Sequence, residues 1–190
     1  MEKKSFKLIV GLGNPGERYA GTYHNIGAKA LQMIAEEDPS LRGAAGSSAK
    51  ADIKSFKRPF SIWKGKPFEY LKGGQRAYVR PLTYMNESGK AVVSAMRHFG
   101  AKPEETLIIH DDSDIEAGES KLSYGRGSAG HNGIKSVIER LGTEDFWRLR
   151  IGVRGAHSEK AGDFVLKKIS PEDKEKLQKA LLEIQAGYSE

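Results

Sequence analysis

Apolar and polar positions along the chain change their period several times, and each change predicts an element. Phe6-Lys-Leu-Ile-Val-Gly11 is a short apolar run closed by glycine, which predicts a buried strand followed by a loop rich in Gly, Asn and Pro. From Ile26 to Glu37 the apolar residues Ile26, Ala30, Leu31 and Ile34 fall on one helical face. Between Ala51 and Arg80 the period drops to two, as at Phe60 and Ile62 or Phe68 and Tyr70, and Lys57-Arg-Pro and Lys64-Gly-Lys-Pro interrupt it, so hairpin strands are expected. Ser88 to Phe99 reads as a helix stopped by Gly100, and Leu107 to Asp111 as a buried strand whose polar end emerges at Asp111. A helix from His131 to Leu141, a strand from Trp147 to Val153 and a final amphipathic helix complete the pattern. The last opens at Ser170-Pro-Glu-Asp with Ser as N-cap. Residues 154–162 read as a mobile loop, either lid or linker.

Strands alternate with helices apart from one hairpin insert. This predicts an α/β fold: a single three-layer domain over residues 1–190, with a mixed β-sheet flanked by helices and its polar loops gathered at one edge. A length of 190 residues agrees with one domain, since domains commonly run to about 100–200 residues.

Composition narrows the chemistry. With no cysteine there is no disulfide framework, thiolate nucleophile or thiolate zinc site. No run approaches the roughly 18 apolar residues of a membrane span, and the start at Met1-Glu-Lys-Lys lacks a signal-peptide apolar region, so a cytoplasmic protein is expected. The net charge of +6 is unevenly spread. Residues 41–80 hold ten basic and two acidic side chains, residues 101–120 one basic and seven acidic, and residues 121–154 seven basic and three acidic. A basic surface beside an acidic cluster suits a polyanionic substrate processed at a carboxylate-bearing centre.

Gly11-Leu-Gly-Asn-Pro-Gly16 has the spacing of a dinucleotide-binding loop but not its context. Pro15 precedes the third glycine, and about ten loop residues separate it from the helix whose N-terminus would have to meet a pyrophosphate. Tyr23-His-Asn25 stands just before the helix at Ile26, with Asn25 expected as its N-cap. His24 gains interest from Asp111, Asn86 and Asn132, all at element ends that can converge on one sheet edge. A histidine oriented by a carboxylate can take a proton from water, and amide donors can stabilise the resulting oxyanion. No GxSxG elbow is present, so a hydrolase without a protein nucleophile is expected. The run His110-Asp-Asp-Ser-Asp-Ile-Glu116 could bind a divalent ion, yet on a strand only alternate residues share a face and no established ligand spacing is present; no metal and no cofactor is expected. His131 either packs or contacts substrate.

Taken in order, Leu8-Ile-Val-Gly-Leu-Gly-Asn-Pro-Gly16, His24-Asn25, Pro81-Leu-Thr-Tyr-Met-Asn-Glu-Ser-Gly-Lys-Ala91, His110-Asp-Asp-Ser-Asp114, Ala129-Gly-His-Asn-Gly133 and Arg148-Leu-Arg-Ile-Gly-Val153 resemble the bacterial-type peptidyl-tRNA hydrolase family. The resemblance implies cleavage of the ester joining a peptide to the 3′ end of tRNA by a monomer. It implies His24 as the base, Asp111 as its orienter and Asn86 as oxyanion donor. Asn14 and Asn132 would bind the substrate, while Tyr19, Tyr84 and Met85 would line the cleft. Lys121 and Arg150, with help from Arg126, would meet the tRNA phosphates. Two positions depart from the family pattern: Ser123 stands where a second basic residue is common, and Tyr23 where Arg or Lys often precedes the histidine. The rival expectation is an RNA-binding relative of the same fold without turnover.

Overall fold

The computed structural model describes residues 5–42, 61–62, 65–155 and 161–189. A seven-stranded mixed sheet forms the middle layer. Its strands are β1 (Leu8–Gly11), β2 (Ser61–Ile62), β3 (Phe68–Gly73), β4 (Arg76–Pro81), β5 (Thr106–Glu116), β6 (Ser120–Tyr124) and β7 (Trp147–Arg154), in the spatial order β2-β3-β4-β1-β5-β7-β6. The four central strands β4, β1, β5 and β7 run parallel, whereas β2, β3 and β6 run antiparallel to their neighbours. The parallel strands are flanked on both faces, so they read as continuous apolar runs such as Leu8-Ile-Val.

The helices are α1 (Ile26–Glu37), α2 (Pro39–Arg42), α3 (Ser88–Phe99), α4 (Asn132–Leu141), α5 (Ala161–Phe164) and α6 (Pro171–Ser189). On one face Ile9, Leu107 and Ile109 pack with Ile26, Leu31 and Ile34 of α1 and with Leu177 and Leu181 of α6. On the other, Leu8, Val10 and Ile108 pack with Val92 and Met96 of α3 and with Ile134 and Val137 of α4. Alternate residues of the same strands therefore feed two separate cores, as the pleat requires. Gly27 is needed at the α1 contact, because a Cβ there would lie 2.3 Å from the carbonyl oxygen of Ile109. Among the described residues no helix is long and apolar enough to cross a membrane.

α1 and α3 span the predicted residues, and Gly100 ends α3 in the left-handed conformation, φ 61°. Ser170 caps α6 through its Oγ, which accepts from the Asp173 backbone N–H at 3.1 Å. Two expectations are corrected and one strand is added. β5 does not end at Asp111 but continues to Glu116 through an irregularity after Asp112, and Asp111 is buried within it. β6 pairs with β7 at the sheet edge over a stretch to which the apolar pattern assigns no element. Asn25 occupies the N-cap position of α1 without capping it: its side chain accepts from the Asn14 N–H and donates to the Asn14 carbonyl, each at 2.9 Å, and so fixes the loop after β1. Of the loop expected at 154–162, residues 156–160 lie outside the described residues, as do residues 51–60 of the hairpin region; residues 161–164 form α5.

Candidate active site

The polar loops meet at the carboxyl ends of the parallel strands, where a cleft of about 400 Å³ opens. The loop after β1 brings Asn14 and His24, the turn after β4 brings Tyr84, Met85 and Asn86, β5 brings Asp111, and the start of α4 brings His131 and Asn132. Tyr19 also lines this cleft, and its ring meets that of Tyr84 edge-on at 6.3 Å. A larger groove of about 1000 Å³ lies elsewhere, between the start of β1, the β3–β4 turn and the end of α3, and contains none of these residues.

His24 Nδ1 lies 2.8 Å and 2.9 Å from the two carboxylate oxygens of Asp111. Because an ionised carboxylate only accepts, Nδ1 carries the proton and Nε2 keeps its lone pair. His131 Nε2 lies 3.0 Å from Asp111 Oδ1, while its Nδ1 accepts from the backbone N–H groups of Gly133 at 3.1 Å and Ile134 at 3.2 Å. His131 is therefore the N-cap of α4 and a second donor to Asp111. Burial alone would raise the Asp111 carboxyl, but the electrostatic pull and N–H hydrogen bonds of His131 and His24 hold it well below the usual carboxylate range. His110, on the other side of β5's pleat, is fully buried, and burial together with neighbouring His131 pushes its imidazole well below the ordinary value. It donates from Nδ1 to the Asp111 carbonyl at 2.6 Å.

Asn14 Oδ1 accepts from the Met85 backbone N–H at 2.8 Å, which turns its NH₂ group toward the cleft. Met85 is buried under this bond, whereas Asn86 beside it is exposed to the cleft. Opposite, Val165 and Leu166 form a wall held by the backbone: the Val165 carbonyl accepts from the His24 N–H at 2.8 Å, and Thr22 bridges to Lys168. Sequence reasoning missed this wall, since nothing local in Phe164-Val-Leu-Lys signals a partner about 140 residues earlier. Tyr23 explains its own departure from the family pattern: its buried hydroxyl donates to Asp173 at 2.6 Å and accepts from the Ser170 N–H at 3.1 Å, tying the histidine loop to α6.

Asp111, His24 and His131 are grouped closely enough that one ligand atom from each lies within 4.8 Å of the others. Their nearest contacts with one another are 2.8–3.0 Å, as in hydrogen bonds from two imidazole N–H groups to one carboxylate.

The three basic residues expected to meet phosphate do not behave alike. Lys121 and Arg126 are exposed. Arg150 is buried, with Nε 2.7 Å from Asp112 Oδ2, so it is not a free surface cation as expected; it neutralises a buried carboxylate beside the cleft. Ser123 stands opposite Arg148 on the neighbouring strand. Arg148 is itself fully buried and donates to the Gly127 carbonyl at 3.0 Å, which draws the loop before α4 onto the sheet.

The family model described as peptidyl-tRNA hydrolase matches residues 8–189. The peptidyl-tRNA hydrolase of Marinomonas sp. (strain MWYL1) is 39% identical over 178 residues, covering 93% of this chain and 84% of that protein. That of Haemophilus influenzae (strain 86-028NP) is 41% identical over 179 residues, covering 92% and 84%. The crystal structure of peptidyl-tRNA hydrolase from Acinetobacter baumannii superposes with a TM-score of 0.76 at 25% identity, covering all of this chain and 97% of that one.

Proposed function

This chain belongs to the peptidyl-tRNA hydrolase family, a premise from which we propose how its residues hydrolyse the ester between a peptide and the 3′ end of tRNA. His24 Nε2 removes a proton from a water in the cleft as the water oxygen attacks the ester carbonyl carbon. Asp111 holds the imidazole in the required tautomer and stabilises the imidazolium that forms. The Asn86 amide donates to the oxyanion, while the Asn14 NH₂ group and Asn132 hold the peptide backbone and terminal nucleotide in register. The tetrahedral intermediate collapses, the bond to the ribose oxygen breaks, and that oxygen takes the proton from His24. Free peptide carboxylic acid and tRNA leave. Tyr19, Tyr84 and Met85 border the peptide, and Lys121 with Arg126 meets the tRNA phosphates, which position the substrate without taking part in the chemistry.

The observation that carries this reading is the His24–Asp111 contact at the base of a cleft lined by three asparagines. It does not favour the alternative, an RNA-binding relative without turnover, which needs no aligned base. The protein works as a monomer in the cytoplasm, without a metal or cofactor. In the decisive experiment, His24→Ala loses peptidyl-tRNA hydrolysis by about 10²–10⁴-fold while retaining tRNA affinity. Asp111→Asn also slows the reaction, by favouring the wrong imidazole tautomer. Wild-type turnover by a folded His24→Ala protein overturns the mechanism.

A further inference from the structure

The mechanism above uses one histidine on Asp111, but the structure places two. His131 is held from three directions. Its Nδ1 accepts from the Gly133 and Ile134 N–H groups, its Nε2 faces Asp111 Oδ1, and its ring packs between those of His24, 4.8 Å away centre to centre, and His110, 4.7 Å away. Because Nδ1 is occupied as an acceptor of backbone protons, the remaining proton must sit on Nε2, directed at the carboxylate. Gly133 has to be glycine for this approach, since a Cβ there would lie 2.5 Å from Met85 Sδ and 2.9 Å from His131 Cε1. The next residue, Asn132, faces the same cleft.

We infer that His131 is a positioning residue: by capping α4 with one nitrogen and donating to Asp111 with the other, it fixes the rotation of the Asp111 carboxylate, and so the aim of His24, to the helix end that presents Asn132. His24 Nδ1 is nearly equidistant from both Asp111 oxygens and therefore does little to choose the carboxylate's rotation by itself. The donor from His131 to Oδ1 makes the choice. A sub-ångström drift of the base relative to substrate is enough to lower the rate substantially, because catalysis depends on near-attack geometry. This inference rests on His24 being the base.

The two ring nitrogens can be tested separately. In His131→Asn the side-chain amide oxygen stands near the position of Nδ1 and keeps the cap, but nothing reaches Asp111. In His131→Gln the amide NH₂ stands near the position of Nε2 and can donate to Asp111, but it caps poorly. With a short CCA-peptide ester, His131→Asn is expected to lower kcat about 10- to 100-fold with KM and Tm close to wild type. His131→Gln is expected to recover kcat relative to His131→Asn while melting at lower temperature. Imidazole ¹⁵N spectra of wild type should show His24 as the Nδ1–H tautomer, and His131→Asn should show a mixture. Wild-type kcat in His131→Asn, or a rise in KM alone, overturns the inference. His24→Ala is assayed in parallel: if it is inactive while His131→Asn is fully active, only the role of His131 falls, whereas turnover by His24→Ala removes the base assignment itself.

Discussion

Arg150 and Asp112 form an ion pair, Nε to Oδ2 at 2.7 Å, with both side chains less than one-tenth exposed, directly beside Asp111 on β5. Removing one partner of a buried pair leaves the other charge uncompensated, at a cost of about 3–5 kcal/mol. Arg150→Ala is therefore expected to lower the unfolding free energy by that order and to impair hydrolysis of long and short substrates alike. Lys121 is exposed, and its carboxylate neighbour Glu119 is 4.0 Å away. Lys121→Ala should leave stability unchanged, raise KM for full peptidyl-tRNA only, and reduce the slope of log affinity against log salt by about 1. Urea denaturation and a salt series on both variants check the division. A purely long-substrate defect in a fully stable Arg150→Ala protein would contradict it.

Asn14 and Asn86 should separate by stability as well as by rate. Asn14 accepts from the Met85 N–H, and its own backbone is held by Asn25, so Asn14→Ala removes a partly buried bond and is expected to cost about 1 kcal/mol of stability in addition to activity. Asn86 is exposed to the cleft, and Asn86→Ala is expected to lower kcat about 10²–10³-fold with an unchanged Tm, as for loss of one oxyanion donor. Steady-state kinetics on a minimal ester and thermal melts of the two variants decide it. An Asn86→Ala protein that loses only KM would move the oxyanion role elsewhere.

Chelation of divalent ions is expected to leave turnover of a short CCA-peptide ester unchanged, because His24 and His131 spend their carboxylate-facing nitrogens as proton donors to Asp111. The short ester matters, since folded RNA has its own need for magnesium. Activity lost on chelation and restored by one divalent ion would reopen these three residues as ligands.

At the end of α1, Asp38 accepts from the Ser40 N–H at 2.9 Å, from Ser40 Oγ at 2.6 Å and from the Tyr78 hydroxyl at 2.6 Å. Burial raises its carboxyl, but the Ser40 and Tyr78 donors outweigh that and hold it below the ordinary value, while burial and Asp38 push the Tyr78 hydroxyl up. A carboxyl that is more acidic in the folded chain stabilises the fold fully above its unfolded value, near pH 4, and loses that contribution as pH falls through the folded value. Asp38→Asn is expected to cost about 1–3 kcal/mol at neutral pH, with the difference from wild type shrinking below about pH 4. Urea unfolding over a pH series measures it, and a difference that stays constant into the acid range would refute the assignment.

Much of the architecture is legible from spacing alone. α1 and α3 begin and end where apolar period and Gly100 place them, because helix boundaries are set by local backbone preference and by which residues must face a core. The edge strand β6 is not legible. Ser120-Lys-Leu-Ser-Tyr124 is largely exposed, so no apolar period reports it, and its strand geometry comes from hydrogen bonding to β7 across the fold. The extension of β5 from Asp111 to Glu116 has the same origin: polar residues there look like a loop until pairing with β7 and burial beside Arg150 are taken into account.

The candidate site divides along the same line. The gathering of His24 and the asparagines Asn14, Asn86 and Asn132 was determined by the sequence by itself, because loops after parallel strands must gather at one edge whatever their detailed path, whereas Asp111 joins them from within β5. What each polar group bonds to was decided only by tertiary structure. A charge in sequence carries no record of its burial, so Arg150 reads as a surface cation until β7 sets it beside Asp112. Asn25 reads as a helix cap until the loop after β1 folds back to take both its amide groups. His131, 20 residues from Asp111, becomes its partner only because α4 begins where β5 passes. Local preference is a property of a few neighbouring residues, whereas hydrogen-bond partnership depends on distances that only the packed layers establish.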